Sequence, residues 1–109
     1  MSLPELEESD VRFLDMIGTY ADRKVDRFET DLFTIDTALV TDRAQPYETA
    51  IAHKNFRGGE WIILGWRRTK EEAQKFHDEL VAYYTCHGET VQKIEDVYEH
   101  VIFTRKEKE

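Results

Sequence analysis

Cysteine is nearly missing from this 109-residue chain: Cys86 is its one thiol, which excludes an internal disulfide framework and a multi-cysteine zinc cage. Two prolines and five glycines leave no room for a Pro- or Gly-rich linker, and no internal repeat or low-complexity tract interrupts the chain. A single α+β domain over residues 1–109 is therefore expected, with 1–8 and 106–109 as flexible tails. No apolar run approaches the roughly 18 residues of a membrane span, and residues 1–10 are acidic where a signal peptide is basic and then apolar. These absences predict a cytosolic chain with no membrane partner. Basic residues are also in deficit, with 15 Lys and Arg against 23 Asp and Glu and a net charge of −8, which lowers affinity for polyanions through unfavourable long-range steering.

What is present suffices for one core. A 40% hydrophobic and 12% aromatic composition, interspersed with the charges, excludes a disordered chain. The charge itself is uneven. Residues 1–42 carry −7, residues 43–75 carry +3 and residues 76–109 carry −4, so a local basic patch survives inside an acidic protein.

Over residues 9–28, Val11, Leu14, Gly18, Ala21, Val25 and Phe28 recur in steps of three and four, which predicts a helix capped by Ser9 or Asp10. Phe13, Met16, Ile17 and Tyr20 widen its apolar surface beyond one stripe. Phe13, Ile17 and Tyr20 are accordingly candidates for self-association. Residues 32–41, 47–53 and 60–67 read as strands with β-branched weight and turns between them, forming a three-stranded antiparallel meander. Because Trp61, Ile62, Ile63 and Leu64 are apolar on both faces, the third strand is expected to be central and covered on both sides. Thr69 with Glu72 three residues on forms a capping box. Ala73, Phe76, Leu80, Val81 and Tyr84 give that helix one packing face, and Gly88 stops it. Val91, Ile94, Val97, Tyr98 and Val101 would suit a helix, but residues 98–105 also suit a strand rich in Val, Ile, Phe and Thr, which is the reading preferred.

Four histidines, at positions 53, 77, 87 and 100, are scattered without a ligand spacing, so no metal site and no cofactor is expected. His77 borders the apolar side of its helix and is expected to pack on the sheet. His53 and His77 are the only pair able to converge, with Glu48 on the other face of the strand. Cys86 next to His87 lies at a helix C-terminus, the wrong end of the dipole for a thiolate, and reads as a packing residue. No activated nucleophile is evident, so no catalytic residue is assigned. Lys54, Phe56 and Arg57, then Trp66, Arg67, Arg68 and Lys70, bracket one hairpin. Phe56, Arg57, Trp66, Arg67 and Arg68 form the candidate binding surface, since Arg and Trp dominate protein hot spots and also stack bases and clamp phosphates. The bland alternative is a solvated hairpin with Trp66 packed under its arginine neighbours.

The run Asp36-Thr37-Ala38-Leu39-Val40-Thr41-Asp42, then Pro46-Tyr47-Glu48-Thr49-Ala50-Ile51 with His53, then Trp61-Ile62-Ile63-Leu64, then Thr69-Lys70-Glu71-Glu72-Ala73 with His77, resembles a group of short phage and prophage proteins of no established function. The resemblance spans residues 11–84, and the tail after Gly88 matches nothing in that group. It implies a viral or mobile-element context, in the host cytoplasm or the virion, and no reaction. Small phage proteins act mostly as assembly components or as inhibitors of host systems, an analogy of context and not of fold. The expectation is a non-enzymatic module with a protein partner or a second copy of itself. Nucleic-acid contact through the basic hairpin, or host-defence inhibition through a phosphate-like acidic surface, is the alternative.

Overall fold

The computed structural model describes residues 23–40 and 44–106. Among them the order is β1 (Lys24–Glu29), β2 (Phe33–Leu39), β3 (Tyr47–His53), a short 3-10 turn (Arg57–Gly59), β4 (Trp61–Arg67), α1 (Lys70–His87), β5 (Lys93–Asp96) and β6 (Val101–Thr104). The α+β class holds. β1 to β4 form one antiparallel sheet in sequence order, and β5 pairs with β6 in a second, two-stranded one.

The expected meander thus gains a strand. Residues 24–29, assigned from the sequence to the end of the first helix, are β1, while residues 9–22 of that helix, with the self-association candidates Phe13, Ile17 and Tyr20, lie outside the described residues. Val25 and Phe28 satisfy a helical stripe. The same stretch also alternates, however, with Asp26 and Phe28 toward one side and Arg27 and Glu29 toward the other. Pairing with β2 then decides, because it sets Arg27 opposite Asp36, with the guanidinium 3.6 Å from the carboxylate.

One face of the sheet carries the core. Ile35, Ile51 and Ile62 stand in register across β2, β3 and β4 and are fully buried, each such side chain contributing about 1.5–3 kcal/mol of burial. α1 lies over this face through Ala73, His77 and Tyr84, spaced four and seven apart. Its start follows the expected cap: Thr69 Oγ1 accepts the Glu72 amide at 3.1 Å. Glu72 in turn accepts from the Arg68 amide at 3.3 Å, one residue earlier than a standard capping box. At its end the Gly88 amide donates to Tyr84 O. Phe76 crosses β4 at Gly65, where a Cβ would stand 3.0 Å from the Phe76 ring, so only glycine admits the ring without a shift.

β4 is the last strand of its sheet, contrary to the central position expected of it. Its apolar residues do point both ways, but toward two different environments: Ile62 to the core, and Trp61 and Ile63 to the face opposite α1. Its outer edge is met by the second sheet. The Val97 amide donates to Ile63 O at 3.0 Å, and the Ile63 amide donates to the Asp96 carboxylate at 3.3 Å. The expected last strand is therefore half of a hairpin, with Ile94 opposite Phe103 and both turned toward the core. β5 escapes sequence reading because it has four residues and one buried apolar side chain. Among the described residues, no helix is long and apolar enough to cross a membrane.

Candidate interaction surface

The side chains of the basic hairpin do not share one surface. Phe56 is fully buried, its ring edge-on to His53 at 4.8 Å, and so is removed from any surface. Arg57 has a left-handed backbone, φ 51°, a conformation that costs a non-glycine residue about 1 kcal/mol or more. Its guanidinium holds the β5–β6 hairpin in place: it donates to Asp96 at 3.2 Å, Glu99 at 3.3 Å and Trp61 O at 3.1 Å. Asp96 is buried and also accepts the amides of Ile63, Tyr98 and Glu99. A buried carboxylate with this many donors is a structural post, and Arg57 is its counter-ion. Sequence spacing hides that role, since the partner lies 39 residues away.

Arg67 is on the α1 side, its guanidinium 3.7 Å over the Phe76 ring, and Arg68 alone of the three is exposed. Trp66 points to the opposite face, because a bulge in β4 between its pairings with Ala50 and Thr49 shifts the alternation by one. It is not packed beneath its neighbouring arginines. Its indole N–H donates to Glu48 at 3.0 Å, and its ring meets Tyr98 at 6.3 Å. The five residues grouped by sequence are thus divided among core, ion-pair post, helix contact and two surfaces.

The histidines do not converge. His53 is held between the Gly88 carbonyl, which accepts from Nε2 at 2.8 Å, and the Asn55 amide, which donates to Nδ1 at 3.1 Å. Those two partners fix the neutral ring with its proton on Nε2. Burial pushes its pKa below the usual histidine value against the opposing pull of the Gly88 carbonyl, and Arg105 lowers it further. His77 packs on the sheet as expected. Its Nδ1 lies 2.8 Å from Thr37 Oγ1, which lies 2.7 Å from Thr49 Oγ1, all three buried. Its Nε2 is 3.7 Å from Asp26. Burial lowers the His77 pKa too, and the carboxylates of Asp26, Asp78 and Asp36 only partly oppose it. The Gln74 amide, donating at 2.8 Å, is the main cause holding Asp26 below its ordinary value. Both rings are satisfied core histidines. Cys86 is exposed, which corrects its reading as a packing residue: α1 turns positions 85–87 outward once Tyr84 takes the core side.

What remains is the face of the sheet opposite α1, where pairing builds three cross-strand rows. The first runs Glu29, Thr34, Ala52, Trp61; the second Arg27, Asp36, Ala50, Ile63; the third Lys24, Ala38, Glu48, Trp66. The two central strands thus present mostly small side chains, flanked by charged residues on β1 and by Trp61, Ile63 and Trp66 on β4. At strand spacing the flanking strands stand about 14 Å apart. Arg27 reaches across this shallow trough until its guanidinium is 5.9 Å from the Trp61 ring. Trp61 is 42% exposed and Tyr98, beyond Trp66, is 58% exposed. Arg27, Asp36, Trp66 and Tyr98 each make a further interaction besides these. Single-sequence reading missed the trough because it assembles three alanines and Thr34 beside Asp36 and Glu48, which carry no motif. The bulge that brings Trp66 to it is equally unmarked.

Among the described residues, no group of three or more His, Cys, Asp and Glu is placed to hold a metal ion. Compared with known proteins, the chain matches no family model, no curated protein and no solved structure.

Proposed function

We propose that the protein is a non-enzymatic, phage-type protein–protein interaction module whose docking surface is the sheet face opposite α1. The carrying observation is the trough, with its small-residue floor and its Trp61, Trp66 and Tyr98 rim. Aromatic side chains beside a floor of small side chains, with Asp36 and Glu48 among them, supply the anchors of a protein hot spot. Two further arrangements support the reading. The titratable groups best suited to chemistry, His53, His77 and Asp96, are spent on structural hydrogen bonds. The arginines that favoured nucleic acid do not share one surface: Arg57 neutralises Asp96 and Arg67 stacks on Phe76.

The test is photo-cross-linking in the expressing cell, with a photoreactive phenylalanine analogue at position 61 and a control at exposed position 79 on α1. A discrete protein adduct, another protein or a second copy, is expected from position 61 alone. A nucleic-acid adduct, or none, overturns the reading. Nucleic-acid binding would also weaken steeply with salt, with the slope falling by about one unit per phosphate-contacting arginine removed.

A further inference from the structure

We infer that β6 is an open sheet edge on which a second copy of this chain pairs antiparallel, joining two β5–β6 hairpins into one four-stranded sheet. The ladder shows which backbone groups are available. The Arg105 amide donates to Gln92 O at 2.9 Å. Backbone groups alternate sides along a strand, so Val101 and Phe103 also turn theirs toward β5, while Ile102 and Thr104 turn theirs away from it. Among the described residues β6 pairs with β5 alone. On its outer side the Lys106 amide donates to Asn55 O at 2.9 Å, beyond the end of the strand. The side chains leave the edge open as well, with Val101 41% and Ile102 58% exposed.

A comparison with β1 shows how unguarded this edge is. β1 ends the four-stranded sheet with Lys24, Asp26, Arg27 and Glu29 among its residues and a bulge between Lys24 and Asp26, the devices by which natural edge strands resist pairing. β6 is Val-Ile-Phe-Thr, with no charge, proline or bulge. A two-stranded ribbon is also marginal by itself and gains most from further strands.

Charge at the two ends of β6 identifies the occupant. Glu99 precedes the strand, and Arg105 and Lys106 follow it. An antiparallel copy with Ile102 opposite its own equivalent brings Glu99 toward Arg105 of the second copy, twice by symmetry, and the same patch serves both chains as in closed dimers. A parallel copy would set like charge beside like. Glu99 is already bonded to Arg57 at 3.3 Å, yet its side chain remains 44% exposed and open to a second guanidinium. In this register the two Ile102 residues exchange their outward N–H and C=O groups across the two-fold axis.

Sedimentation of the full chain from micromolar to submillimolar concentration should show a monomer–dimer equilibrium. Ile102→Pro removes an N–H that faces away from β5, and Ile102→Lys sets two cations across the axis. Each should raise the dissociation constant by about tenfold or more, with far-UV circular dichroism unchanged for the lysine variant. Position 102 also permits a direct trap, because facing residues of a hydrogen-bonded pair stand about 5.5 Å apart between Cα atoms, within disulfide reach. With the exposed native thiol removed by Cys86→Ser, Ile102→Cys should oxidise to a disulfide-linked dimer, and Glu79→Cys on the exposed side of α1 should not. A chain that stays monomeric throughout would overturn the proposal. So would a dimer that Ile102→Lys leaves intact, or cross-linking equal at positions 79 and 102.

Discussion

The two faces of the four-stranded sheet are made from the same strands and follow opposite rules. Toward α1 the central side chains are mostly large and apolar, and the buried polar ones there, His53, His77, Thr37 and Thr49, are paired with one another or with backbone. Away from α1 the central positions are mostly small, and the large side chains stand only at the margins. A face packed by its own helix is selected for volume and satisfied hydrogen bonds. On the docking reading proposed above, the other face is selected for shape, with rim residues that tolerate exposure. The difference teaches that an apolar strand pattern on both sides does not require burial on both sides. β4 has that pattern, yet its Trp61 remains substantially exposed.

The largest expected contrast is between neighbours on β3. Ile51→Ala removes a fully buried side chain from the isoleucine row and should cost about 2–5 kcal/mol, the range for such cavities. Ala50→Ser, one residue away on the other face, should stay within about 0.5 kcal/mol. Urea unfolding of both variants measures the contrast, and equal losses would mean the second face is packed like the first.

Much of the helix-covered face was legible in the sequence. The β3 boundaries, the Thr69 cap, the Gly88 stop and the packing of His77 follow from local spacing and capping chemistry. What failed to be legible was set by pairing over distance. β1 reads as helix until Asp36 and the β2 ladder give its alternation a partner. Arg57 reads as a surface cation until Asp96 closes on it. Trp66 changes face through a bulge that no residue type announces. The candidate site was half legible: Trp66 was named from its composition, while Trp61 and the alanine floor entered only when the register aligned them.

The next contrast is with pH, and it belongs to the helix-covered face. His53 and His77 both have folded pKa values below the ordinary histidine value of 6.5. The unfolded chain therefore binds more protons between the folded and unfolded values. Stability from this source is complete above about pH 6.5 and is lost as the pH falls toward the folded values, at up to about 1.4 kcal/mol per pH unit for each ring. Asp26, whose pKa is lowered from 3.8, adds a separate loss only below that value. Urea midpoints at pH 7.5, 6.5 and 5.5 should decline in the last interval. His77→Asn, which keeps an acceptor near Thr37 Oγ1, should reduce the decline. A midpoint that rises toward pH 5.5 would contradict the buried neutral assignment of both rings.

The smallest effect on stability should come from Trp61→Ala, and it sharpens the comparison most. Trp61 lies in the first row opposite Ala52, and its ring is near the Arg27 guanidinium at 5.9 Å. An exposed cation–π contact of this kind contributes about 0.5–1 kcal/mol. Removing the ring deletes that contact and opens no cavity in the isoleucine row, so the unfolding free energy should fall by no more than about 1 kcal/mol. Binding should respond otherwise, because a tryptophan that anchors a protein interface commonly costs about 2 kcal/mol or more when truncated. Once cross-linking identifies the partner, its affinity for the variant should drop by about thirtyfold or more, the factor that this energy implies. A stability loss comparable to that of Ile51→Ala, with affinity unchanged, would place Trp61 in the core and reduce both faces to one rule.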